Sequence, residues 1–267
     1  MHIIKFPTPK TQGKKSKIPK SPSQKFITRI SNKSFNQDEF LQLCQSDAIL
    51  QNLNLCHNSL SFLQEVGMDL SFTQERISLA TQHRSWMDQE FCFVDIESTD
   101  SDPLKGNLLE IGAILCNGRG EVIKRFESFV KNENIPIVIE EITGITVADT
   151  QNAPELKKVL QDFRSFLGKS VFVAHNVSFD YHFLDFLYLK HFGIGIYNQS
   201  LCTLKIAQKT IPSPRYKLSF LNEFLGIFTP ISHRAYADAH TCKEIFFHCK
   251  KYFPLGSTQN LLNWASK

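Results

Sequence analysis

Hydrophobic and polar positions along this chain change their period near residue 90. Before that point, DEFLQLC (38–44) and SLSFLQEV (59–66) carry apolar residues at helical spacing, and Gly67 is placed to end the second helix. ERISLATQ (75–82) alternates as a strand does. From 91 onward FCFVDIE (91–97), LLEIGAILC (108–116) and EVIKRFESFV (121–130) read as three strands, the last two joined through a turn at NGRG (117–120). APELKKVLQDFRSFLG (153–168) reads as a helix, SVFVAH (170–175) as a buried strand, and SFDYHFLDFLYLKHF (178–192) as a helix capped by Ser178. A short strand near SLCTL (200–204) and helices over 217–226 and 235–253 complete the pattern. An initial hairpin followed by alternating strands and helices predicts an α/β domain with a mixed sheet.

Composition divides the chain further. Residues 1–33 hold Lys5, Lys10, Lys14, Lys15, Lys17, Lys20, Lys25, Arg29 and Lys33, four prolines and no acid, which predicts a basic, disordered arm. The formal net charge is +4, so these nine cations leave the remainder at −5. Such an arm either contacts nucleic acid or serves as a solvated leader. Residues 34–90 form a small module of winged-helix-like character, too short for an independent core and expected to lean on the larger domain C-terminal to it. Residues 91–253 are that main domain and 254–267 a C-terminal tail. The 23 phenylalanines are assigned mostly to a packed core. No apolar run approaches the roughly 20 residues of a membrane helix, and the N-terminus lacks the apolar core of a secretory signal. Seven cysteines without a CxxC pair argue against a disulfide framework or structural zinc and suit a reducing cytosol.

The candidate chemistry begins in FVDIESTD (93–100). Asp95 and Glu97 are two apart in a strand, so they share a face, and their like charges are costly there unless a cation lies between them. Asp180 falls in the first turn of the helix after a buried strand. In HRAYAD (233–238), His233 stands five residues before Asp238, which opens another helix. Functional groups of α/β sheets gather at such strand and helix ends. Each residue has a plainer role when taken singly: Asp180 as a helix-dipole partner, Asp238 as a solvated helix start, His233 as a surface histidine. Together they outweigh those roles.

The three segments DIE (95–97), HNVSFD (175–180) and HRAYAD (233–238) resemble the motifs of the DEDDh 3′–5′ exonucleases. LLEIGAI (108–114), EEITGIT (140–146) and FVAHNVSFD (172–180) extend the likeness over about residues 91–252. Within that family the chain is most similar to the epsilon-type proofreading exonucleases of bacterial DNA polymerase III. The resemblance implies a ribonuclease H-like fold: a mixed five-stranded sheet flanked by helices, here with a small N-terminal helical or α/β appendage. Arg234 stands where a sister group has Tyr, and His233 occupies the histidine group's place. Two departures are visible. Ser98-Thr99-Asp100 replaces the usual Thr-Thr-Gly; Asp takes the left-handed conformation of glycine less easily, so the turn is expected to differ while the ligands stay. Thr143 replaces a histidine of some epsilon subunits.

The resemblance implies 3′–5′ hydrolysis of phosphodiester bonds at DNA ends with two Mg²⁺ ions, for which Mn²⁺ substitutes. Asp95 would bridge both ions, Glu97 and Asp238 complete one, and Asp180 hold the other largely through water. His233 would be the general base, since an imidazole titrates near neutrality. Ser98, Thr99, His175, Asn176 and Phe179 are candidate substrate contacts; for Phe179 a core role is preferred, and His175 and Asn176 are open between substrate contact and bracing the loop. The implied partners are a single-stranded or frayed DNA 3′ end and the replicative polymerase catalytic subunit, and the implied location is cytoplasmic and nucleoid-associated. QNLLNW (259–264) has the look of a sliding-clamp peptide, though an amphipathic terminal turn is the preferred reading. The alternatives are an exoribonuclease on the same fold, which one sequence cannot separate from a DNA enzyme, and a non-catalytic adaptor, against which the intact acids and histidine argue.

Overall fold

A computed structural model of the chain describes residues 21–53, 55–56, 60–73, 75–229 and 233–267. It opens with helix α1 (Pro22–Ile30), whose first turn is set by Pro22 and by the Ser21 hydroxyl accepting the Gln24 N–H. Phe26, Ile27 and Ile30 are buried. The disorder expected over 1–33 is therefore corrected for residues 21–33: an amphipathic helix lies there, and its apolar face finds a core. Residues 1–20, with most of the arm's lysines, lie outside the described residues.

Strand β1 (Ser34–Phe35) leads into α2 (Gln37–Gln45), started by a reciprocal capping box between Asn36 and Glu39. Helix α3 (Leu60–Glu65) ends before Gly67, where φ is +105°, and the antiparallel strands β2 (Leu70–Thr73) and β3 (Arg76–Leu79) come next. The predicted strand over 75–82 thus stops at Leu79, and a 3₁₀ turn takes Ala80–Gln82. β3 pairs with both β1 and β2, giving the order β1-β3-β2 and the connectivity of a winged helix. The module leans on the main domain as its size requires. Tyr197 enters its core against Phe26, with ring centroids 6.0 Å apart, and donates its N–H to the Val66 carbonyl at 3.0 Å.

The main sheet comprises β4 (Glu90–Ser98), β5 (Leu108–Asn117), β6 (Val122–Phe129), then after α4 (Ile137–Thr143), α5 (Val147–Thr150) and α6 (Leu156–Leu167), β7 (Val171–Ala174). Helix α7 (Ser178–Phe192), strand β8 (Ser200–Cys202), helices α8 (Thr203–Thr210), α9 (Leu218–Phe224), α10 (Ala235–His248) and α11 (Thr258–Ser266) complete the chain. The sheet order is β6-β5-β4-β7-β8, antiparallel among β4, β5 and β6 and parallel across β4, β7 and β8. This is the mixed five-stranded sheet expected. Along β4 the alternation sorts two cores: Cys92, Val94 and Ile96 pack with the residues of α6 and α7, while Phe91 and Phe93 pack with those of α8, α10 and α11. Asp95 and Glu97 continue the second face.

Three local expectations are corrected. The cap of α7 is Val177 without a side-chain bond, and Ser178 is the first helical residue. The last long helix stops at His248, and a 3₁₀ turn covers Lys250–Tyr252. The C-terminal tail is a buried helix: in α11 Leu261, Leu262 and Ala265 sit in the core, and Gln259 accepts from Gln199. A clamp peptide must offer its glutamine, leucine and aromatic outward. Here Gln259 and Leu262 are buried and Trp264 packs on Phe253, so QNLLNW is committed to the fold.

Candidate active site

Three elements deliver the acids. Asp95 and Glu97 end β4, and Asp180 sits buried in the first turn of α7. Asp238 sits in the first turn of α10, where its Oδ2 accepts the His233 N–H at 3.1 Å. The cross-strand partner of Asp95 is Gly112 on β5. A Cβ there would lie 2.0 Å from the Tyr236 nitrogen and 2.2 Å from the Ala235 carbonyl carbon. Glycine is what lets the start of α10 lie on the sheet, and that contact carries Asp238 to the strand acids. His233 itself takes φ +61°, and a donor atom from each of Glu97, His233 and Asp238 lies within 4.8 Å of the others.

A fifth acid, Glu110, is fully buried opposite Glu97. It accepts Arg234 through Nε at 3.2 Å and Nη2 at 2.9 Å, and the Ala235 N–H at 3.0 Å. Arg234 also lies over Phe129, 5.0 Å from the ring centroid. Glu110 and Arg234 therefore lock the His233 segment onto β5. Both belong to motif segments, LLEIGAI and HRAYAD, and the signal was a charge inside an apolar strand run; its partner could not be named without the fold.

The negative charges are crowded. Burial first, then Asp180, Asp238, Glu97 and Glu110, holds the Asp95 carboxyl well above the usual range. Burial, then Asp238, Glu110 and Asp180, pushes Glu97 up to about 8 despite the opposing Arg234. Asp180 is raised to about 7 by burial, with the backbone N–H groups of Asp180 and Ile96 opposing and Asp238 adding to the rise. Asp238 is raised by burial, with His233 acting against it. Oxygen donors that repel one another at a strand end suit a hard divalent cation, whose charge would reverse those shifts.

The remaining candidates are engaged in local hydrogen bonds and packing. His175 Nε2 donates to the Tyr216 carbonyl at 2.8 Å, which leaves Nδ1 to accept from Thr203 Oγ1 at 3.0 Å. His175 thus braces the loop. Asn176 has φ +74°, a conformation asparagine tolerates, and its carbonyl accepts the Phe179 N–H. Phe179 packs on Phe183, in its preferred core role. Ser98 Oγ donates to the Asp100 carbonyl, and Thr99 Oγ1 accepts from Asn107, so both hydroxyls tie down the loop after β4. Asp100 is not left-handed; its Oδ1 accepts the Asp102 N–H in an Asx turn, which makes the turn without glycine. The Thr143 hydroxyl bonds the Ile139 carbonyl and the Ile145 N–H.

A profile described as "Exonuclease" (RNase_T) matches residues 92–246. The DNA polymerase III subunit epsilon of Aquifex aeolicus is 34% identical over 162 residues, 60% of this chain and 80% of that protein. The PolC-type DNA polymerase III of Thermotoga maritima is 33% identical over 160 residues, again 60% of this chain but only 12% of the polymerase's length. Among solved structures, E. coli Exonuclease I in complex with a dA16 oligonucleotide aligns with a TM-score of 0.54 at 18% identity, over 59% of this chain and 40% of that one, a likeness of fold.

Proposed function

This chain belongs to the RNase_T exonuclease family, and on that premise we propose that it removes nucleotides from DNA 3′ ends and serves as the proofreading activity of a replicative DNA polymerase. The observation that carries the reading is the convergence of Asp95, Glu97, Asp180 and Asp238, from β4, α7 and α10, beside His233. DNA is preferred over RNA because the relatives carrying this segment are DNA polymerase III components.

Asp95, Glu97 and Asp238 would hold one Mg²⁺, with Asp95 and Asp180 holding a second, and Mn²⁺ would fit the same oxygens. Bound divalent ions would neutralise charge on the scissile phosphate and make a water more acidic. His233, exposed beside Glu97 and Asp238, would accept the proton of the attacking water. The Asp238–His233 bond and the Glu110–Arg234 pair orient that segment. A 3′ nucleotide must be unpaired to reach buried carboxylates, so a mismatch is preferred without any reading of base identity. The polymerase catalytic subunit is the partner that such a role requires.

The deciding experiment offers the full chain, in Mg²⁺, a mismatched primer–template, its paired counterpart and single-stranded RNA. Nucleoside monophosphates should leave the mismatched DNA 3′ end fastest, and EDTA should stop the reaction. Faster trimming of RNA than of mismatched DNA would move the assignment to an exoribonuclease.

A further inference from the structure

Helix α9 and the loop behind it expose two phenylalanines, Phe224 and Phe228, beside a half-buried third, Phe220. Phe220 and Phe224 are one helical turn apart, with ring centroids 5.8 Å apart and planes within 20°. Phe224 is 48% exposed and Phe228 71%. Phe228 also holds φ +54°, a costly conformation for a bulky residue, while its ring stands out in solvent. The buried side of the same segment is complete without them: Leu221 is fully buried, and Leu218, Leu225 and Ile227 pack against the core. The guanidinium of Arg215 lies over the Phe220 ring, 6.0 Å from its centroid, and Lys217 precedes the helix on the surface. Glu223 is the acid on α9, about 100° around the helix from Phe224.

The position of this strip is as informative as its composition. At its start, the Tyr216 carbonyl accepts His175 Nε2, on the loop that leads to Asp180. At its end, Thr229 is held by Asn222 and bonds Thr241 on α10, the helix that carries Asp238. The aromatic strip is thus anchored to both of the elements that bring acids to the site from outside the strand.

We propose that Phe220, Phe224 and Phe228, with Arg215 and Lys217, form a stacking platform that carries the single-stranded segment of the substrate into the active site. Every base has a face to stack, and cations beside the rings meet the phosphates, so the platform binds without sequence preference. A protein partner would be expected to cover the apolar rings without requiring cations among them. The proposal rests on the exonuclease reading of the acidic site.

The test uses the full chain and two probes. One is the p-nitrophenyl ester of thymidine 5′-monophosphate, a single nucleotide with no single-stranded segment to lie on the platform. The other is a fluorescein-labelled twelve-nucleotide oligothymidylate, followed by anisotropy in Ca²⁺ and by hydrolysis in Mg²⁺. Phe224→Ala and Phe228→Ala should each weaken oligonucleotide binding about tenfold and raise its KM, with ester hydrolysis unchanged. Phe224→Trp should retain tight binding. Arg215→Gln with Lys217→Gln should flatten the slope of log affinity against log salt by about 1.4. If the Phe224→Ala/Phe228→Ala double variant binds and cuts the oligonucleotide as wild type does, the platform is refuted and the face falls to a protein partner. Parallel loss of ester and oligonucleotide hydrolysis would refute it too, by assigning the rings to support of the catalytic site. A wild type that binds the oligonucleotide through these rings but hydrolyses neither probe would overturn the exonuclease reading and leave the platform standing.

Discussion

Asp95 is the residue on which most of the local charge bears, since Asp180, Asp238, Glu97 and Glu110 all act to raise its pKa. The metal-binding role proposed for it and its cost to stability have one origin. Asp95→Ala should abolish measurable hydrolysis, while the metal-free variant melts no lower than the wild type because a crowded carboxylate is gone. Mg²⁺ should raise the wild-type Tm, as a ligand of the native state does, and leave the variant's Tm nearly unmoved. An active Asp95→Ala protein would end the carboxylate reading. His233 separates differently. As a base it accounts for about 10²–10⁴ in rate, so His233→Ala should turn over that much more slowly at saturating Mg²⁺ while its affinity for DNA stays close to wild type. If added metal restores the rate, His233 is a ligand, as its proximity to Glu97 and Asp238 also permits. Arg234→Ala strands the buried Glu110 carboxylate. It should cost about 2–4 kcal/mol in urea unfolding, below the full figure for a buried pair because Arg234 is 32% exposed.

Between elements, the decisive contact is α10 on β5. Its closeness depends on Gly112, where any side chain meets the Tyr236 backbone. Gly112→Ala should push the start of α10 away from the sheet, separating Asp238 and His233 from the acids of β4. A displacement of about 1 Å is worth roughly 10²-fold in rate. kcat measured with the oligonucleotide should fall by about that factor while the protein keeps its far-UV circular dichroism; unchanged kcat would show that α10 can shift without moving the ligands. The winged-helix connectivity of α1 to β3 invites a nucleic-acid role, but its charges oppose one. From α1 to β3 the chain carries six acids, Asp38, Glu39, Asp47, Glu65, Asp69 and Glu75, against four bases, Lys25, Arg29, Lys33 and Arg76. A net charge of −2 gives phosphate no attraction.

Across the whole molecule, Asp185 marks the joint between the N-terminal module and the catalytic domain. It is fully buried on α7, and its Oδ1 accepts the Ile196 N–H at 2.7 Å. It closes with Ser23 of α1 around Gly195, where a Cβ would be 2.1 Å from Asp185 Oδ1 and 2.2 Å from Ser23 Oγ. Burial raises its carboxyl from 3.8 to about 6, with the Ile196 N–H acting in the other direction. The folded state therefore keeps this proton longer than the unfolded chain does. Its ionised form costs stability: nothing below about pH 3.8, an increasing amount as pH climbs, and the full cost, about 3 kcal/mol at most, above about 6. Asp185→Asn should remove that slope, so its stability relative to wild type should grow between pH 4 and 7 in urea titrations. A pH-independent difference would show that Asp185 titrates in the folded protein as it does in the unfolded chain.

The elements of the catalytic domain and its four acids were legible in the sequence because strand and helix periods differ and because charge at the end of an apolar strand is conspicuous. Asp95 and Glu97 could be placed on one face from their spacing alone. What covers that face could not, since α10 lies more than a hundred residues away and reaches it only through the backbone contact at Gly112. Glu110 and Arg234 were visible as charges, yet only folding made them a pair. The basic composition of 1–33 concealed α1, whose apolar face is short and acquires a core only against distant residues such as Phe40, Leu63, Leu79 and Tyr197. QNLLNW admitted two readings for the complementary reason: a docking peptide and a packing helix have the same amphipathic pattern, and burial of Gln259 and Leu262 favours the amphipathic one preferred from the sequence. Local spacing specifies which side chains share a surface, but which surfaces meet depends on contacts between residues distant along the chain, and only the tertiary structure settles those.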